Sequence, residues 1–414
     1  MVLFLYGTAA GTVFHKVFFS QTGNGTTALI LSYMSFAIGY IAGPFGAIFF
    51  GHIGDRKGRK VTMYASLLMM GISTSIIGIL PPAASAGVGV VIVLQLMRLA
   101  QCFGRGGTWG GGILMAYENV PENKRSFYAA IPQIGLPIGF GLSSILIAVP
   151  TLLLPEDIFF TWGWRIPFLA AIILTVIVIR QKGEMMETED YKKAQAKLEA
   201  EEAEGKKHKV GFIPMVKGYW KTLLLGCGTR WVDGTFYNIF IVWILSYCIN
   251  WLGMPLIQTY IITIIACIFK IPFTLFGGWC AQKLGNTRTF VIGALASAVL
   301  SIPTLKVIEL SKGNLAITII GIVLGWSIAY NLIWAVISSL WSSYFETEVR
   351  YSGISFVYHV PSFLVAGMVP TICTLLINYG KGDTIYVGIY STVVALISAA
   401  CALALKARHD RGEK

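Results

Sequence analysis

The sequence predicts an all-α protein that crosses a lipid bilayer many times, and three observations predict it. Of 414 residues, 55% are hydrophobic and 13% charged, with a mean hydropathy of +0.70. Soluble domains carry about 25% charged residues, so a water-facing globule is excluded. Apolar runs of about 20 residues recur along nearly the whole length, enough for each to span hydrocarbon as a helix. Strand-like alternation over about ten residues is absent, which argues against a transmembrane barrel. The expected architecture is twelve spans in two six-helix bundles, the first span truncated.

The elements follow in order. Span 1 ends near Phe19, with only a short apolar stretch before it. Spans 2 and 3 cover about 28–50 and 61–80. Between them lies Gly51–Lys60, three glycines, one acid and four bases, which predicts a tight hairpin at a membrane surface. Span 4 runs from about 87 to 117 and span 5 from 127 to 150. Glu156 and Asp157 mark an opposite loop, and Trp162-Gly163-Trp164-Arg165 reads as an interfacial aromatic anchor before span 6, about 166–180. Residues 181–220 carry mixed charge with no apolar face and predict a solvated linker. Spans 7 to 12 then cover 222–249, 256–281, 289–308, 314–342, 353–378 and 384–405. The domains expected are 1–180, the linker 181–220, 221–405, and a tail at 406–414. Gly278–Arg288 repeats the Gly51–Lys60 loop in decayed form, with Gln282 where the acid stood, which supports two related halves.

A formal charge of +12 does not point to nucleic acid, because the bases are segregated. Most lysines and arginines fall in 56–60, 124–125, 180–221, 283–288, 350 and 406–414. That is the bias of cytoplasmic loops, and it places both termini in the cytoplasm of a prokaryotic cell membrane. The seven cysteines lie singly in apolar segments, so neither a disulfide frame nor a metal site is expected. No nucleophile–base set, phosphate loop or metalloprotease helix is present, and an enzyme has no support. No cofactor is called for. No secretory leader is expected at residues 1–19.

Ionisable groups inside membrane helices are costly and face a cavity or a partner. Span 4 places Arg98, Gln101, Arg105 and Thr108 on one face, and span 7 does so with Arg230, Asp233 and Tyr237. Lys270 precedes Pro272 in span 8, and Ser352, Ser355, His359 and Ser362 share a face of span 11. Bases exceed acids, so an empty cavity between the bundles favours an anion held by arginine in bidentate geometry. Arg230 and Asp233 also have a plain structural reading as a neutralising pair. Arg105 has one as a side chain reaching the bilayer surface. Asp233 and His359 are the candidates for carrying a proton. Gln133, Tyr330 and Asn331 complete the expected substrate site.

Gly51-His-Ile-Gly54-Asp55-Arg56-Lys-Gly58-Arg59-Lys resembles the loop between helices 2 and 3 of major facilitator superfamily transporters at every fixed position. Arg98-Leu-Ala-Gln101-Cys-Phe-Gly-Arg105-Gly-Gly-Thr108-Trp-Gly-Gly resembles the helix-4 signature of the metabolite:proton symporters. That subfamily carries shikimate, α-ketoglutarate, citrate and proline or betaine. Phe127-Tyr128, Pro132-Gln133-x-Gly135-x-Pro137-x-Gly139, Trp162-Gly-Trp-Arg-Ile-Pro-Phe168 and Val349-Arg350-Tyr351-Ser352-Gly353 fit as well. The resemblance departs at three places. Val2 stands where the family has an acid in helix 1, Thr108 stands where it has an acid in helix 4, and Arg105 replaces a small residue.

The resemblance implies the major facilitator fold, alternating access between two halves, and a gate in which Asp55 bonds the start of helix 11 near Ser352. Gly51, Gly54, Arg56, Gly58, Arg59 and Arg350 would belong to that gate. The expected activity is secondary transport of a small organic acid, with proton symport, by a monomer in the membrane. A zwitterion or sugar carrier, an uncoupled uniporter, and a non-transporting sensor or scaffold are the alternatives.

Overall fold

Inside hydrocarbon a backbone has no water to bond, so each spanning segment must satisfy its own polar groups, which a helix does. A computed structural model describes residues 2–22, 24–57, 59–108, 120–121, 124–180 and 212–413. Among the described residues there are helices and turns and no strand. In chain order the rods are α1 (Val2–Thr12, then Phe14–Val17 after a break at Val13) and α2 (Gly25–Phe50). Then come α3 (Val61–Ile79), α4 (Val88–Arg105), α5 (Arg125–Leu153) and α6 (Arg165–Arg180). The second half holds α7 (Val216–Asn250), α8 (Leu256–Leu284), α9 (Asn286–Leu310) and α10 (Leu315–Tyr344). It closes with α11 (Thr347–His359, continued by Val369–Tyr379) and α12 (Ile385–Asp410). Among the described residues, nine helices are long and apolar enough to cross a membrane, or ten if Glu156–Gly163 and Arg165–Ile177 form one bent span. α1 and α11 are broken into shorter pieces.

Within the first half, α3 packs on α6 and α4; within the second, α12 packs on α9 and α7, and α8 on α10. The halves meet along α5 with α8, α2 with α11 and α1 with α7. Large apolar side chains face outward, Val88 at 77% exposure and Val299 at 73%, as lipid-facing residues do. Small and hydroxylated residues fill the helix contacts. A Cβ on Gly278 would meet Ala130 at 2.7 Å, so glycine sets how closely α8 approaches α5. Buried hydroxyls bond back along their own helices, as Ser66 does to the Thr62 carbonyl at 2.8 Å.

Several expectations are corrected. In the Gly51–Lys60 stretch, expected as a tight hairpin, one helix runs through Lys57 and the next starts at Arg59. Helices that project past the bilayer keep their bonds in water, and Gly58 lies outside the described residues. The second-half counterpart turns at one residue, Gly285, with φ +89° that glycine accepts readily. Trp164 is no interfacial anchor. It is buried against Phe14, Phe18 and Phe168 with ring centroids 5.7–5.9 Å away, while Trp162 is exposed. Arg165 Nη1 donates to the Leu80 carbonyl at 2.7 Å. α4 is described only to Arg105 with a turn through Thr108, and 181–211 of the expected linker also lies outside the described residues. Residues 212–220 of that linker belong to a helix, Phe212–Asn238, kinked at Tyr219.

Candidate functional site

Arg98 sits on the inward face of α4 and is fully buried. Its Nη1 donates to Gln101 Oε1 at 2.5 Å, and Gln101 Nε2 donates to Thr74 Oγ1 at 2.6 Å. The i, i+3 spacing puts both on one face, so the glutamine aims the guanidinium. Tyr6, Phe36 and Tyr40 surround it, with ring centroids 4.3, 4.8 and 5.8 Å from the guanidinium carbon. Gly39 makes the room: a Cβ there would stand 2.7 Å from Arg98 Nε. Nε and Nη2 of Arg98 have no hydrogen-bond partner among the described residues. Tyr6 OH bonds Ser35 Oγ, which also accepts from Gln95 Nε2.

The second half supplies a denser network. Arg230 and Asp233 form the ion pair that their i, i+3 spacing allows, and both are buried. The other oxygen of Asp233 accepts from Tyr330 OH. Lys270 is fully buried, with Nζ 4.3 Å from the Tyr330 ring centroid and 4.5 Å from that of Trp326. Its Nζ makes a long hydrogen bond, 3.5 Å, to the Trp326 carbonyl. Asn331 turns to structure: Nδ2 donates to the Lys270 carbonyl at 2.8 Å and Oδ1 accepts from Thr274 at 3.1 Å. It braces α8 one turn from Pro272. Tyr237 packs between Phe4 and Phe140, both 6.4 Å away, at the meeting of α1, α5 and α7.

Arg105 does not reach for the bilayer surface. Its Nη2 donates to Tyr358 OH at 2.5 Å, and its guanidinium lies 5.2 Å from the Tyr40 ring. Arg230 also bonds Tyr358, its guanidinium 4.4 Å from the Tyr358 ring centroid. Arg105, Tyr358, Arg230, Asp233, Tyr330 and Lys270 therefore form one continuous series from α4 to α8. His359 is buried beside α2, where a Cβ on Gly43 would meet its Nδ1 at 3.0 Å. The Gln133 carbonyl accepts from Trp334 Nε1 at 3.0 Å across the α5–α10 contact, and its Nε2 has no hydrogen-bond partner among the described residues.

Of the expected gate, Arg350 is placed: Nε donates to the carbonyls of Ser342 (3.0 Å) and Phe345 (3.2 Å), fastening the end of α10. Ser352 is partly buried in the first turns of α11. Gly51, Gly54, Asp55, Arg56 and Arg59 lie in helix, and their side chains, like Gly58 entire, lie outside the described residues.

At the end away from Gly51–Lys60, Tyr33 OH bonds Ser246 Oγ at 2.6 Å, and Tyr260 OH donates to Thr12 Oγ1 at 3.1 Å. Above this seal a hollow of about 680 Å³ opens between the halves, lined by Asn24, Trp243, Tyr247, Asn250 and Asn378 among others. None of the central cations lines it. Sequence reasoning missed Tyr6, Tyr40, Tyr358 and the Tyr33–Ser246 seal. An aromatic residue in an apolar helix carries no local mark of its partner. Among the described residues no group of three His, Cys, Asp or Glu could hold a metal ion.

Of the central groups among the described residues, Arg98, Arg105, Arg230 and Lys270 bear basic side chains and Asp233 is the one carboxylate. Such a set can hold an anion.

The sequence profile of the Major Facilitator Superfamily matches residues 1–367. The chain is 34% identical to the inner membrane metabolite transport protein YhjE of Escherichia coli (strain K12), over 98% of this chain and 91% of the relative. It is 31% identical to the shikimate transporter of the same organism, over 97% and 90%. With the proline/betaine transporter of Salmonella typhimurium it shares 27%, over 96% and 78%. Among solved structures, the proton:xylose symporter XylE bound to 6-bromo-6-deoxy-D-glucose superposes with a TM-score of 0.74 at 17% identity, over 97% of this chain and 92% of that one. That likeness bears on the fold.

Proposed function

The chain belongs to the major facilitator superfamily as a multi-pass membrane transporter of metabolites, and from that premise we propose that it carries a small organic acid. The observation that carries this reading is the make-up of the described core, four basic side chains against one carboxylate. An unbalanced cation in a low-dielectric interior is expensive, and an arriving carboxylate removes that cost while the guanidinium provides paired donors. Arg98 keeps two donors free for it, held in place by Gln101 and three aromatic rings. Arg105, Lys270, Gln133, Arg230 and Tyr237 complete the site, with Tyr330 and Asn331 orienting Asp233 and α8.

The two halves, 1–180 and 221–405, rock about this site, with 181–220 joining them and both termini in the cytoplasm. Asp233 carries the coupled proton: protonation would release Arg230 for the substrate, and loss of the proton would restore the pair. His359, facing Gly43 across the α2–α11 contact, is the second proton-carrying candidate. Asp55 and its neighbours close the cytoplasmic side. The protein acts as a monomer. A zwitterion carrier, in line with the proline/betaine relative, is the second reading, since the rings of Tyr6, Phe36 and Tyr40 stand beside the Arg98 guanidinium.

The experiment is uptake into proteoliposomes under an imposed pH gradient, with labelled shikimate, α-ketoglutarate, betaine and xylose. Accumulation of an acid driven by the gradient supports the reading. Accumulation of xylose or betaine alone refutes it.

A further inference from the structure

A phenol that accepts a hydrogen bond from a guanidinium stands where a carboxylate oxygen would stand. Tyr358 does this. Its hydroxyl accepts from Arg105 Nη2 at 2.5 Å and also from Arg230, and its ring is flanked by Arg105 (5.0 Å) and Arg230 (4.4 Å). It is 5% exposed and is held edge-on by Trp341, centroids 6.3 Å apart. Arg105 belongs to the first half; Tyr358 and Arg230 belong to the second. The contact therefore ties α4 to α11 across the line along which the halves meet, beside the close passage of His359 and Gly43.

We propose that Tyr358 is a positioning residue that serves as an internal stand-in for the substrate: it occupies Arg105 in the empty carrier, and the anionic group of the substrate displaces it. Displacement transfers Arg105 from a partner in the other half to a mobile ligand. Binding is thereby linked to release of α4 from α11. Neutral solutes cannot break the contact, because they offer the guanidinium no better acceptor than the phenol already does. This rests on the reading that the central cations receive an anion.

The test uses purified full-length protein and two probes, shikimate and its uncharged methyl ester. Tyr358→Phe keeps the ring, the packing on Trp341 and the cation–π contacts, and removes the competing oxygen alone. The expected result is shikimate binding about tenfold tighter than in the wild type, the size of a hydrogen bond to a charged group, with binding of the ester unmoved. Shikimate binding that is equal or weaker in Tyr358→Phe overturns the proposal, since it makes the hydroxyl either idle or a direct ligand.

A ligand-free arm decides the matter if neither probe binds. Hydrogen exchange of the segments 98–108 and 350–362 should quicken in Tyr358→Phe, and unchanged exchange overturns the tie between the halves. Arg105→Gln separates the two levels. Unaltered shikimate affinity in that variant removes Arg105 from the substrate site, whereas quickened exchange in Tyr358→Phe stands independently of it.

Discussion

Replacing Arg98 by alanine removes a buried guanidinium with uncommitted donors. Its guanidinium has one hydrogen bond, to Gln101, and three aromatic neighbours, while Nε and Nη2 have no partner among the described residues. Lost contacts with Tyr6 and Phe36 cost about 0.5–2 kcal/mol, too little to prevent insertion of so large an apolar chain. Losing a desolvated partner for a carboxylate costs about 2–5 kcal/mol. At about 1.4 kcal/mol per tenfold, that is a loss of roughly thirtyfold to several thousandfold in apparent affinity. The assay is concentration-dependent uptake of the transported acid into proteoliposomes containing matched amounts of wild-type and Arg98→Ala protein. Arg98→Lys is the control for charge: it keeps the positive end and loses the planar fork, so it should recover part of the loss. Uptake kinetics of Arg98→Ala within twofold of the wild type would refute the assignment.

Further outcomes follow from the same geometry. Asp233→Asn removes the carboxylate that holds Arg230 and Tyr330; concentrative uptake should vanish while exchange across equal pH persists, and retained pH-driven accumulation moves coupling to His359 or elsewhere. The same change leaves a buried cation unpaired, and a thermal melt should fall by an amount equivalent to about 3–5 kcal/mol. Gly39→Val places a branched carbon where 2.7 Å separates it from Arg98; transport should drop as sharply as in Arg98→Ala, and normal uptake would show that Arg98 moves freely. Tyr33→Phe breaks the bond to Ser246 at the far-end seal, and a thiol-specific reagent should reach Cys248 faster in that variant than in wild type. Asp383, in the turn before α12, is held below the ordinary carboxylate range by its bond from Lys306 Nζ (2.6 Å). With the folded pKa depressed, its contribution is full above the unfolded value and fades as pH falls through the folded one. Exchange at Ile385, whose amide bonds Asp383 Oδ1, should therefore quicken only below about pH 4.

The fold was legible because hydrocarbon leaves few choices: the length of the apolar runs placed most of the described helices. Residues within one helix were legible for the same reason. Periodicity brought Arg98 to Gln101 and Arg230 to Asp233. What periodicity does not carry is the partner on another helix. Arg105 and Tyr358 are separated by 253 positions, and the α11 face singled out for Ser355, His359 and Ser362 passes one residue beside Tyr358. Asn331 suggested a ligand contact, yet its amide braces the Lys270 carbonyl, a role visible only once α8 and α10 lie together. Charged motifs at helix ends suggested loops, because a helix continuing into water needs no apolar period to announce it.

The central claim is that the core is built to receive a negative charge. Its most direct measure is calorimetric binding of one transported acid and its uncharged methyl ester to the same purified protein, without any mutation. The account predicts that the acid binds at least thirtyfold tighter, the lower bound expected for a desolvated charge pair. Equal affinity for the two would contradict it.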